Sequence, residues 1–267
     1  MRIFDVHSHI YPDKIAERAV ESVSDFYQVH MQGKGTVKDL LLQQKKAGIF
    51  GSLVYAVAIK TSTVQSINDF IAEQTREHPS LIGFASMHQD FPDMEGEIER
   101  CIKMGLKGVK IHPDTQGVKA DDPRLMHLYE ILEGRLPVVM HCGDYRWDNS
   151  HPRRIKKILR AFPNLVMDAA HYGGWSLFDL AVEYLEDEHC FLDISSSSTL
   201  LGPRRVSELI HIYGPERMLF GSDYPMWDPT EEVGRFMESA LTDEEREMIC
   251  WQNAQRFLGM DLSNDLV

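Results

Sequence analysis

Arg2-Ile3-Phe4-Asp5-Val6-His7-Ser8-His9 sets three apolar residues, Ile3, Phe4 and Val6, among and ahead of two histidines one residue apart, and runs into turn chemistry at Tyr11-Pro12-Asp13. Such a run reads as a strand. Side chains at i and i+2 of a strand point to one side, so His7 and His9 offer two imidazoles to the same face, half of a metal site. Short apolar runs recur at 50–57, 81–87, 108–112, 137–142, 165–171, 190–195 and 218–221, with ends spaced by 24 to 30 residues. That spacing holds one strand, one helix and two connections. The stretches between, 67–76, 95–104, 124–132, 152–160, 177–185 and 204–212, mix apolar and charged residues at helical spacing. Eight strand-helix units in 267 residues predict an α/β fold of the closed (β/α)8 TIM-barrel type rather than an open doubly wound sheet. Residues 10–49 exceed one repeat and predict an extra segment after the first strand. Thr242-Asp243-Glu244-Glu245 starts a C-terminal helix that Gly259 stops. No linker-like composition divides residues 1–267, which read as a single domain.

A formal charge of −13, from 28 basic and 41 acidic residues, opposes binding to a phosphate backbone, so nucleic acid is an unsuitable partner. No leader pattern and no apolar run of membrane-span length are present, which argues against secretion and a membrane role. Cys101, Cys142, Cys190 and Cys250 are widely spaced and form no Cys-x-x-Cys pair, so a reducing cytoplasm is the expected compartment. A small-molecule substrate is the expected partner, and a homodimer is compatible with the composition. The small-residue run Ser195 to Ser198 reads as a loop.

In a TIM barrel the reactive groups gather where the strands end, on one face. His7 and His9 end the first strand, His112 follows the fourth, His141 lies in the fifth, His171 ends the sixth, and Asp223 follows the eighth. Neutral imidazoles with a carboxylate suit one divalent metal ion, Zn2+ in the first place, with Mn2+ or Fe2+ as alternatives.

These segments resemble the amidohydrolase superfamily, and within it the amidohydrolase-2 group of metal-dependent hydrolases and decarboxylases. The likeness rests on Asp5-Val6-His7-Ser8-His9, Gly108-Val109-Lys110-Ile111-His112-Pro113, Val139-Met140-His141, Phe220-Gly221-Ser222-Asp223-Tyr224-Pro225 and the closing Ile249 to Leu258. The resemblance implies that His7, His9 and His141 bind the metal. Asp223 is then a fourth ligand or the base that takes a proton from metal-bound water, and His171 orients that water or stabilises an oxyanion. It implies hydrolysis of a C–N or C–O bond, of amide or lactone type, in a small carboxylated molecule, with nonoxidative decarboxylation as the alternative. Metal-free lactone hydrolysis and a noncatalytic scaffold are more distant readings. Lys110 holds a substrate carboxylate or, as a carbamate, bridges two metals; His112 contacts substrate or forms a turn before Pro113. Arg146 and Tyr172 complete the expected substrate contacts, although an ion pair of Arg146 with Asp144 or Asp148 is the simpler account of that residue.

Overall fold

β1 (Phe4–His9) pairs in parallel with β2 (Gly51–Tyr55), and β2 with β3 (Leu81–Gly83). In the computed structural model, which describes residues 1–263, the third strand breaks at Phe84 and resumes as β4 (Ala85–Ser86). Parallel pairing continues through β5 (Val109–Ile111), β6 (Val138–Met140) and β7 (Met167–Ala169), and β8 (Leu192–Asp193) pairs with β9 (Met218–Leu219). Backbone hydrogen bonds join these groups into a ring. Phe84 N donates to Val54 O at 3.0 Å, Ala169 N to Phe191 O at 2.9 Å, and Val6 N to Phe220 O at 2.9 Å. The result is the expected TIM barrel, closed by its first strand against the segment that follows its last.

The extra segment after β1 holds two helices, α1 (Asp13–Tyr27) and α2 (Val37–Ala47). Thr36 caps α2 by accepting from Asp39 N, and Gly48 ends it in the left-handed conformation. The barrel helices are α3 (Val64–Glu77), α4 (Met94–Met104), the single turn α5 (Pro113–Gln116), α6 (Pro123–Leu132), α7 (Pro152–Ala161), α8 (Phe178–Leu185), α9 (Ser198–Tyr213) and α10 (Pro229–Met237). α9 is two limbs joined at Gly202, whose φ of 69° is not helical, and residues 204–212 are its second limb. The C-terminal helix is α11 (Asp243–Glu247), a π-helical turn (Met248–Gln252) and α12 (Asn253–Leu258), begun by the Thr242 and Glu245 capping box. Among the described residues no helix is long and apolar enough to cross a membrane.

Strand alternation divides the core. Val109, Ile111, Val138, Met140, Met167 and Ala169 pack outward with the helices, while Phe4, Val6, Leu53, Tyr55, Phe84, Val139 and Leu219 form a second cluster that fills the barrel. Ala254, Phe257 and Leu258 of α12 join this inner cluster and plug the end where the strands begin. Gly108 is required there, because a Cβ would sit 2.3 Å from ring carbons of Phe84. The same inward parity that gives apolar residues below gives Lys110, His141, Asp168 and Asp193 above, so the barrel is greasy at one end and ionisable at the other.

The Phe257 ring lies 6.0 Å from Phe84 and 5.6 Å from Phe191. Phe257→Ala is expected to cost about 3–5 kcal/mol in urea unfolding, the usual range for emptying a large aromatic site. A loss under about 1 kcal/mol would show that α12 does not support the barrel interior.

Candidate active site

Asp5 sets the geometry at the barrel mouth. Its Oδ1 accepts from His7 N (3.0 Å) and Ser222 N (2.9 Å), and its Oδ2 from the hydroxyls of Ser8 (3.0 Å) and Ser222 (2.5 Å). Asp223 N then donates to His7 O at 2.8 Å. Gly221 permits this approach, since a Cβ there would lie 2.9 Å from the His7 Cβ. Asp223 itself adopts a φ of 59°, a left-handed conformation uncommon outside glycine and typical of functional turns. Its Oδ1 lies 3.4 Å from His7 Nε2 and 3.6 Å from His9 Nε2, so the two imidazoles of β1 converge on one carboxylate oxygen. Its Oδ2 accepts from the Ser196 hydroxyl, which in turn accepts from Trp227 Nε1 at 2.9 Å.

A second row of imidazoles adjoins the first. His171 Nε2 is 3.0 Å from His141 Nδ1, while His171 Nδ1 faces Ser195 Oγ at 2.8 Å and Ser195 O at 3.2 Å. His112 stacks on His141 with centroids 3.8 Å apart and planes within 9°, and its Nε2 lies 2.7 Å from the hydroxyl of Tyr27. Two groups have ligand atoms close enough to share an ion: His7, His171 and Asp223, and separately His112, Asp114 and His141. Neither is complete as it stands. Both ring nitrogens of His171 are engaged by neighbours, and the stacked rings of His112 and His141 keep their nitrogens in two nearly parallel planes. By contrast, His141 Nε2 and His9 Nδ1 are buried without a hydrogen-bond partner.

Burial pushes the imidazoles of His9, His112 and His141 well below their usual value, and nearby cationic groups add to the effect; burial also takes His171 down to about 4. These four imidazoles are therefore neutral at physiological pH, the form in which imidazole binds metal. Asp168 is held well above the ordinary carboxylate range by burial and by the charge of neighbouring Asp193.

Lys110 is fully buried, with Nζ 3.2 Å from His7 Nε2 and 4.9 Å from the Tyr55 ring centre. Burial lowers its pKa against the pull of Asp223, Asp193 and Asp168. The other expected substrate contacts are differently placed. Arg146 grips Asp144, with Nε to Oδ1 at 2.9 Å and Nη2 to Oδ2 at 2.7 Å, and donates from Nη1 to Phe26 O at 2.7 Å. Its guanidinium lies 4.2 Å from the Trp147 ring centre, so it latches α1 over the mouth. Tyr172 sits in the outer core beside Phe178, because left-handed φ values of 60° and 54° at His171 and Tyr172 turn the chain back outward.

Sequence reading missed five residues at the site. Asp193 meets His7 Nδ1 at 2.7 Å; Ser195 and Ser196, read as loop, hold His171 and Asp223; Tyr27 reaches His112 from α1; Asp114 Oδ2 lies 3.5 Å from His141 Nε2. For Asp193 and Ser195 the available signal was their inward parity at the end of a predicted strand. Tyr27 carried no such signal.

Residues 4–260 match the model of the amidohydrolase family. The chain is 25% identical over 244 residues to a 2-amino-3-carboxymuconate-6-semialdehyde decarboxylase of Dictyostelium discoideum, a match covering 74% of this chain and 66% of that protein, just under two thirds of the relative's length. A dihydroxybenzoic acid decarboxylase of Polaromonas sp. JS666, solved with manganese and 2-nitroresorcinol, superposes with a TM-score of 0.75 at 17% identity over 96% of each chain. A probable 2-pyrone-4,6-dicarboxylic acid hydrolase of Acinetobacter baumannii, solved with citric acid, gives 0.69 at 14% identity over 97% of this chain and 100% of its own. Identities this low establish the shared fold.

Burial raises Asp114 to about 7, helped by the charge of Asp144 and opposed by the hydrogen bond from Ser150. The folded state therefore keeps a proton that the unfolded chain releases near pH 4. Stability from this group is full below that pH and is lost as pH rises through about 7. Chemical unfolding of the metal-free protein across that window should show this decline, and Asp114→Asn should flatten it; an unchanged slope in the variant would contradict the assignment.

Proposed function

The chain belongs to the amidohydrolase family, and we propose that it is a metal-dependent decarboxylase of a small carboxylic acid. The observation that carries this reading is Lys110, a fully buried amine beside the imidazole cluster, 3.2 Å from His7 Nε2 and within the field of Asp223, Asp193 and Asp168. A substrate carboxylate is the anion such a group is suited to receive. The decarboxylase activity of the Dictyostelium relative points the same way.

The residues fit a divalent ion. His7, His9, His141 and Asp223 would hold it, because His7 and His9 both present Nε2 to Asp223 Oδ1 and His141 Nε2 is buried without a hydrogen-bond partner. An imidazole and carboxylate set takes Zn2+, Mn2+ or Fe2+, and the ion supplies Lewis-acid polarisation of a substrate oxygen. Lys110 binds the carboxylate, and the closed roof of Tyr27 and the Arg146 latch limits water. As the carbon–carbon bond breaks, its electron pair stays on the substrate carbon, carbon dioxide leaves, and a proton takes its place. Asp223 would hold that proton on Oδ1 in the arrangement where the three imidazoles alone bind the ion, with His171 orienting the reacting group.

Hydrolysis of an amide or lactone is the second reading. It is favoured by the same Asp223 oxygen, which is equally placed to take a proton from an attacking water, and by the fold shared with the Acinetobacter protein.

Metal-loaded protein offered aromatic and unsaturated carboxylic acids, lactones and amides should release carbon dioxide in step with loss of one of the acids. Asp223→Asn should keep the circular dichroism spectrum and lower turnover by about 10^2–10^4-fold. Hydrolysis products without carbon dioxide would overturn decarboxylation in favour of the second reading, and near-native turnover in the variant would remove Asp223 from the chemistry.

A further inference from the structure

We infer that Asp193, acting with Ser195, is the positioning centre of the site: it fixes the tautomer of His7 and, through Ser195 and His171, that of His141, so that the bare nitrogens of both rings face the ion. This rests on the ligand set proposed above and adds what makes that set competent.

Asp193 ends β8 and is wholly buried. Its Oδ2 lies 2.7 Å from His7 Nδ1, and its Oδ1 accepts from His171 N (3.0 Å), Ser195 N (3.0 Å) and Ser195 Oγ (2.5 Å). The three donors at Oδ1 are two backbone N–H groups and a hydroxyl, so Asp193 accepts there, and an ionised carboxylate can only accept at Oδ2 as well. His7 therefore carries its hydrogen on Nδ1 and a lone pair on Nε2. That lone pair faces Lys110 Nζ, a donor, at 3.2 Å, as it must. It also faces Asp223 Oδ1 at 3.4 Å, so the lone pair and the carboxylate oxygen lie side by side, where Lys110 holds the place an ion would take.

The Ser195 hydroxyl hydrogen is spent on Asp193, so Ser195 Oγ accepts from His171 Nδ1 at 2.8 Å. His171 Nε2 then bears a lone pair and accepts from His141 Nδ1 at 3.0 Å. The remaining lone pair falls on His141 Nε2, which makes no hydrogen bond and lies 3.5 Å from Asp114 Oδ2. One carboxylate thus determines, ring by ring, which nitrogen of three histidines is free. Carboxylates that orient metal-binding histidines commonly govern affinity in this way.

Long-range nitrogen-proton correlation NMR on 15N-labelled, metal-free protein reads these tautomers directly. His7, His171 and His141 should each carry hydrogen on Nδ1; hydrogen on Nε2 of His7 or His141 in the native protein would overturn the inference. Asp193→Asn should mix the His7 tautomers and weaken Zn2+ binding by about 10–100-fold in chelator competition. Unchanged tautomers with unchanged affinity would also overturn it. Ser195→Ala removes the longer approach of Ser195 Oγ to His7 Nδ1 (3.2 Å) but retains the 2.7 Å Asp193 contact, so it should leave His7 as it is and release His171 and His141, a pattern readable even where the Asp193 variant fails to fold. Because the tautomers are read without an ion, a fault in the ligand set shows separately, as native protein with these tautomers that takes up no Zn2+.

Discussion

Asp5 is the point at which the barrel closes and the active site begins. One carboxylate accepts from His7 N, Ser222 N and the hydroxyls of Ser8 and Ser222, tying the first strand to the loop that follows the last. Without that tie, the hydrogen bonds of Val6 to Phe220 and of Asp223 to His7 would have no fixed register. Ring closure and the meeting of His7 with Asp223 are consequences of the same contact. The burial of Asp5 makes the tie unforgiving, because losing the carboxylate strands several buried donors at once.

From this closure the molecule divides along the barrel axis. At one end the inward positions are Phe4, Phe84 and Leu219 beneath the α12 plug; at the other they are Lys110, His141 and Asp193. The apolar end excludes water from the floor of the site. The polar end then works in low-dielectric surroundings, which keep the imidazoles neutral and make the Lys110 amine receptive to an anion. Fold and chemistry share a single device, the two-residue alternation of a strand.

Much of this was legible in the sequence wherever the signal is local. The spacing of strand ends gave the barrel, and the i, i+2 relation of His7 and His9 gave their common approach to Asp223. What escaped depends on contacts between distant parts of the chain. Asp193 earns its role from His7, 186 positions away, and the Ser195-Ser196 pair looks like loop composition until His171 and Asp223 are set beside it. Tyr172 was misjudged because two consecutive left-handed residues reverse its direction, a backbone event that residue type does not announce. The break at Phe84 has the same character: its ring packs over Gly108, just ahead of the neighbouring strand, a contact that local sequence does not announce.

The central claim is that the imidazoles and carboxylate at the mouth are there to hold one divalent ion. Metal per chain, measured by inductively coupled plasma mass spectrometry on protein purified without chelators or a metal-binding tag, tests it most directly. The account predicts about one equivalent of Zn2+, Mn2+ or Fe2+. No bound metal, even after incubation with each of these ions, would contradict it.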